Sequence, residues 1–200
     1  GTNHIVIDAS VLGGTGGASG RVLAPLGRAG SAGNGGSGVV LQSPTGATTV
    51  LINSTVTGGV GGTGGTGGIA NIGAGGHGGA GIRIDDGGNS VLDISSTVMG
   101  GNGGASVNAD ATSGAGGVGI EGADVTIRLL AGSNIQGGLS GDGVTRANAI
   151  VLTGGTNRLE LHADPTLADP TLVGPTLVGN VVASGFSTLA LTDGMSNSFD

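Results

Sequence analysis

The 200-residue chain carries 49 Gly and 5 Pro, no Cys, no Trp, no Tyr and only two Phe, and six Arg against thirteen Asp and Glu leave a net charge of −7. That balance disfavours nucleic acid and anionic membrane surfaces as partners, because both need a basic footprint, and the lack of thiols rules out disulfides and thiolate metal centres. The near absence of aromatics removes the faces on which sugars and bases stack, and no apolar run approaches the roughly 18 residues of a membrane span.

Glycine and proline together exceed a quarter of the chain, a composition typical of disorder when it has no pattern. Yet Val, Leu, Ile and Phe make up another quarter, enough to build a core, and they cluster in short alternating runs. Taken in chain order, these runs recur in three columns, the mark of a repeat architecture. The first opens with HIVID (Ile5/Ile7). It continues with TVLIN (Val50/Ile52), VLDIS (Leu92/Ile94), TIRLL (Ile127/Leu129), RLELH (Leu159/Leu161) and TLALT (Leu189/Leu191). A second column lies upstream of each later copy, at Val39/Leu41, Ile82/Ile84, Val118/Ile120, Ile150/Leu152 and Val182. It is joined to the first by turn-forming residues such as DDGGN and TGGT. A third and shorter column, at Val11, Val56, Val98 and Ile135, stands just before a glycine pair in each copy.

A unit with one apolar row per strand cannot bury that row alone, but stacked on its neighbours it forms a continuous core. The expected fold class is therefore all-β, a parallel β-solenoid spanning residues 1–200 as a single domain. Right-handed coiling, a right-handed β-helix, is the default for parallel crossovers. A helical reading fails because the apolar period is two and glycine interrupts anything longer.

Between the third and second columns lie glycine-rich arms over about 13–38, 58–81, 100–119 and 137–148, all leaving at the same corner. In GGVGGTGGTGG the non-glycine residue recurs at every third position. This matches an extended helix with three residues per turn and puts Val60, Thr63, Thr66 and Ile69 on one ridge. Glycine on the other two faces lets backbones approach closely enough to bond, so ordered, polyglycine II-like arms stacked in layers are predicted, at least over 58–68. The fifth excursion, DPTLADPTLVGPTLVGN, replaces glycine with a Pro-Thr-Leu repeat over 164–179, expected to be a stiffer extended loop.

The stretches NAIVLTGGTNRLELHA and VGNVVASGFSTLALTDG resemble the right-handed β-helical passenger of an autotransporter (type V secretion). The resemblance covers residues 148–194 and reaches the rest only through the period. It implies display at the cell surface, or secretion, from the outer membrane of a Gram-negative bacterium. It also implies a longer chain with a signal peptide upstream and a β-barrel translocator downstream, so that this fragment inserts into no membrane itself. Passengers of this kind serve as adhesins or self-aggregating modules, and some carry enzymes.

An enzyme on a parallel β-helix needs carboxylates converging from neighbouring repeats. Asp85 and Asp86 sit in a Gly-rich turn and Glu121 and Asp124 in the equivalent turn one repeat later, but the next repeat offers only TGGTN there. These acids read as solvated turn residues, and Asp164 and Asp169 as turn residues before prolines. His4, His77 and His162 lie in unrelated settings. No glycine run ends in the GK[ST] of a phosphate loop, and GLSGDGV is a lone likeness to a calcium nonapeptide. Accordingly no catalytic, cofactor-binding or metal residue is assigned, and no cofactor is expected. The expected role is a non-enzymatic surface adhesin, self-association or stalk module whose partner is itself or a host or bacterial surface ligand. The rivals are a polysaccharide-acting enzyme and a plain spacer carrying another domain.

Overall fold

The structure is a computed structural model that describes residues 3–22, 29–42, 47–66, 73–86, 88–107, 111–162 and 174–192. Alternating, β-branched-rich runs give strands, and the strands come in threes. They are Asn3–Ile7 (β1), Val11–Leu12 (β2) and Val39–Gln42 (β3), then Thr48–Ile52 (β4), Val56–Thr57 (β5) and Ile82–Asp86 (β6). Next are Ser90–Ile94 (β7), Thr97–Met99 (β8) and Ile120–Gly122 (β9), followed by Val125–Leu129 (β10), Asn134–Gln136 (β11) and Ile150–Leu152 (β12). Thr156–His162 (β13), Thr176–Val178 (β14) and Val181–Ala183 (β15) form the fifth set, and Phe186–Thr192 (β16) follows. Among the described residues there is no helix.

Every pairing between these strands is parallel and joins elements three apart. One sheet has the order β1-β4-β7-β10-β13-β16, a second β14-β11-β8-β5-β2 and a third β15-β12-β9-β6-β3. The all-β class and the three parallel sheets are consistent with a β-solenoid. In the first sheet the predicted columns are in register: Ile5, Val50, Leu92, Ile127, Leu159 and Leu189 stand in one file, and Ile7, Ile52, Ile94, Leu129, Leu161 and Leu191 in the next. Val11, Val56, Val98 and Ile135 make the third column as expected, and Leu177 extends it. The end of the Pro-Thr-Leu repeat is thus a strand and not a loop. Pro165 and Pro170 lie outside the described residues.

The second column differs from expectation. Ile120, not Val118, pairs with Ile82, so Gly122 takes the position opposite Leu152. Sterics give the reason: a Cβ on Gly122 would stand 2.6 Å from the Cβ of Ile84, so the Ile84 side chain already fills that inward position. Val118 stays outside the sheet, where its carbonyl accepts from Gly81 N at 3.0 Å. Likewise Val181, not Val182, continues the file from Ile150.

The inward files form one core in which Val50, Ile52, Val56, Ile82, Leu92, Ile94, Val98, Ile120, Ile127, Leu129, Ile135 and Ile150 are completely covered. At about 1.5–3 kcal/mol per buried aliphatic side chain, stacking supplies what no single repeat could. Polar files close the corners. Asn53 Nδ2 donates to Asp8 Oδ1 at 2.8 Å and Ser95 Oγ to Asn53 Oδ1 at 3.2 Å, bridging three successive repeats. The turns entering the first sheet use left-handed residues, Asn89 (φ 63°), Asp124 (φ 51°) and Gly155 (φ 60°), residue types that tolerate that region. At the two ends the outermost strands leave Ile5 and Leu189 nearly half exposed.

Candidate interaction surface

The glycine-rich segments leave after β2, β5, β8 and β11 and return before β3, β6, β9 and β12, so the sheets deliver them side by side. Their backbone hydrogen bonds follow a period of three. Gly13, Gly16, Ser19 and Val22 donate to the carbonyls of Thr57, Val60, Thr63 and Thr66 at 2.8–3.0 Å, and Gly58, Gly61 and Gly64 to those of Met99, Asn102 and Ala105 at 2.9 Å. The next glycine in each triplet donates elsewhere. Gly59 and Gly62 bond to Gly36 O and Gly33 O of the preceding returning leg, at 2.7 and 2.9 Å. Returning legs bond to outgoing ones in the same way, Gly76 to Gly62 O at 2.9 Å and Gly79 to Gly59 O at 2.8 Å. Consecutive amides therefore point to different neighbours, which a strand with its period of two cannot do.

This pattern explains why two of every three residues are glycine. From Gly58 to Gly65 both glycines of each triplet are buried while Val60 and Thr63 are exposed. A Cβ on Gly62 would run into the backbone of Gly17, and one on Gly61 into that of Gly76. The third residue carries the side chain outward. Thr66 ends the described part of this ridge, and Ile69 lies outside the described residues.

On these ridges side chains bridge to the next segment. Asn34 Oδ1 accepts from His77 N at 2.8 Å, His77 Nδ1 accepts from Ala115 N at 3.0 Å, and Asn102 Oδ1 accepts from Leu139 N at 2.8 Å. His77 thus supplies, through Nδ1, an acceptor for the Ala115 amide of the next segment. The signal for it was present in the sequence: an acceptor-bearing side chain at the every-third position. The segment from Gly137 to Asn148 departs from the pattern. It closes as a hairpin with an antiparallel bridge between Leu139 and Arg146, and Arg146 Nη1 donates to Gly137 O at 2.6 Å. Within the hairpin Ser140 Oγ and Val144 N donate to Asp142 and hold its carboxyl below the usual carboxylate range.

Of the four acids weighed for catalysis, Asp85 and Asp124 bond to neighbouring groups. Asp85 receives Arg83 at 2.7 Å and Gln42 Nε2 at 3.1 Å, and the Arg83 hydrogen bond lowers its pKa. Glu121 stands opposite Arg83 in the register. Asp124 Oδ1 accepts from Thr156 N at 2.8 Å, fastening the turn of the next repeat. A shallow groove of about 270 Å³ is lined by Arg83, Asp85 and Glu121 among others. Asp164 and Asp169 lie outside the described residues, and no side chain of Asp86 is described.

The residue between each apolar pair of the first column faces outward, and on that face Asp93, Arg128 and Glu160 stand in register. Arg128 lies 3.6 Å from Asp93 and 3.1 Å from Glu160. Period two brings in two more groups that reading a single position per strand missed: Arg158 and His162 both bond to Glu160, His162 at 3.0 Å. Glu160 is consequently covered although it lies on the outer face of the sheet, and its pKa falls to about 2. The Arg158 hydrogen bond contributes most, His162 and Arg128 add to it, and burial opposes them. Among the described residues no group of His, Asp and Glu is arranged to hold a metal. Compared with known proteins, the chain matches no family model, no curated protein and no solved structure.

Proposed function

We propose that this chain is a non-enzymatic bacterial surface module, a right-handed β-solenoid belonging to an autotransporter passenger, that works as an adhesin, self-association element or stalk. In this reading its glycine arms are polyglycine II-like helices stacked at one corner. The observation that carries it is the period-three bonding between segments. That pattern supports a rigid plate of closely packed backbones whose ridge side chains are held at fixed spacing, and such a plate is a surface for contact more than a site for chemistry. The occupied carboxylates, Asp85 on Arg83 and Gln42, Asp124 on Thr156 and Glu160 on Arg128, Arg158 and His162, support a structural use of these acids. The autotransporter reading further proposes that the chain acts outside the outer membrane, carried there by a translocator barrel.

Display on a non-adhesive bacterial strain tests the proposal. Cells bearing the chain should clump or attach to a surface that control cells do not, and should lose this when the segment from 58 to 81 is replaced by a short turn. Cells that stay dispersed and unattached would reduce the chain to a spacer. Activity on acidic polysaccharides would restore the enzyme reading.

A further inference from the structure

We propose that Asn34-Gly35 and Asn102-Gly103 are sites of spontaneous modification, where asparagine converts to aspartate or isoaspartate once glycine segments separate, and that stacking is what keeps them unmodified. The packing itself creates these pairs. Of the twelve asparagines only these two precede glycine, and both stand exposed on a ridge. The residue after each of them has to be glycine: a Cβ on Gly35 would run into Gly59 O, and one on Gly103 into Gly114 O. An asparagine set on such a ridge is therefore followed by the one residue whose missing Cβ leaves its amide nitrogen free to approach the asparagine side chain.

In an unrestrained pair of this kind, a thermolabile arrangement, the glycine nitrogen attacks Cγ of the asparagine. The N–Cγ bond forms, the Cγ–Nδ2 bond breaks, and ammonia leaves with the proton that the glycine nitrogen gives up. Water then opens the cyclic imide. Breaking the new N–Cγ bond gives aspartate, and breaking the original peptide C–N bond gives isoaspartate, whose main chain runs through the side chain. Nothing is oxidised or reduced, and water is the co-reactant.

The structure blocks the first of these steps. Gly35 N donates to His77 O and Gly103 N to Leu139 O, both at 2.8 Å, so each nucleophile keeps its proton and points to the next segment. The same two neighbours hold the other reactant, since His77 N donates to Asn34 Oδ1 and Leu139 N to Asn102 Oδ1, also at 2.8 Å. A bond to Oδ1 alone would polarise Cγ and favour attack. The bond at the glycine nitrogen is therefore the guard, and it lasts only while the next segment is in place. Aspartate keeps an acceptor at the clamp and allows restacking. Isoaspartate lengthens the backbone and shifts the following glycines out of step with their partners, Gly36 N with Gly14 O and Gly104 N with Gly76 O. A separation that outlasts the reaction is thereby made permanent.

Peptide mapping by mass spectrometry after incubation in mildly alkaline buffer tests the inference. It is applied to the native chain, to the chain unfolded in urea, and to a variant with residues 138–147 replaced by a short turn. Both asparagines should survive at least about tenfold longer in the native chain than in the unfolded one, because reaction waits for an opening that breaks the clamp. The shortened variant lacks the partner of Asn102 alone, so Asn102 should convert at close to the unfolded rate while Asn34 stays intact. Equal rates in the native and unfolded chains overturn the inference whatever the variant does. In a shortened chain that still melts cooperatively, an intact Asn102, or conversion of Asn34 in step with it, overturns it too. Loss of that melting transition leaves the decision to the ratio of native to unfolded rates.

Discussion

Gly62→Val and Gly17→Val place the same side chain at the same triplet position of neighbouring segments, and the structure predicts opposite results. At Gly62 the new Cβ meets the backbone of Gly17 and Gly16, whereas at Gly17 it meets open space. Relieving the first clash requires the second segment to withdraw from the first. This puts at risk the bonds from Gly62 to Gly33, Gly16 to Val60 and Ser19 to Thr63, and the bond from Gly61 to Asn102 on the other side. At about 0.5–1.5 kcal/mol of net stability per hydrogen bond, three or four such losses amount to roughly 2–5 kcal/mol. The reduced entropy of the unfolded chain returns about 0.4–1 kcal/mol for replacing a glycine. Gly62→Val should therefore destabilise by roughly 1–4 kcal/mol, and Gly17→Val should be neutral or slightly stabilising. Urea unfolding at concentrations where the chain is monomeric reads both. Equal midpoints for the two variants would show that the segments do not pack on one another, and the reasoning would fall with them.

Ile94→Asp or Leu129→Asp puts an unpaired charge into a fully covered file and should cost several kcal/mol; a soluble variant with an unchanged melting temperature would contradict the core. Because the Glu160 carboxyl titrates at about 2 in the fold and at about 4.3 in an unfolded chain, its contribution is complete above the higher value and is lost as pH falls through the lower one. Arg158→Gln should move the Glu160 titration, followed by NMR, back toward the ordinary value, while Arg128→Gln should cost no more than about 1 kcal/mol for a partly exposed pair. His77→Ala should speed exchange of the Ala115 amide, whose acceptor it removes, and leave Gly78 N protected by Ala115 O.

The first column was legible because each copy repeats an apolar pair at period two and the pair alone fixes the register, from Ile5 through Leu191. The second column misled because its apolar period runs straight into the glycine segment. Val118 and Ile120 look like a pair, and only the volume of Ile84 facing Gly122 sets the true alignment. Leu177 was hidden by the five-residue repeat around it, whose prolines suggest a loop although its last copy satisfies the third column. Glycine spacing announced a period of three. It could not say which amide bonds to which neighbour, since that depends on the order in which the sheets deliver the segments. The charged cluster was half legible: one outward position per strand gave Asp93, Arg128 and Glu160, and the neighbouring outward positions gave Arg158 and His162 only once the face was seen whole.

Residue-resolved hydrogen exchange over Gly58 to Gly64 tests the stacked glycine segments most directly. Gly58, Gly59, Gly61, Gly62 and Gly64 each donate to a neighbouring backbone, while the exposed Val60 and Thr63 have no acceptor for their amides among the described residues. The expected trace is two slow amides followed by one fast, repeated along the segment. Uniformly fast exchange, or an alternation of slow and fast with the period of a strand, would contradict it.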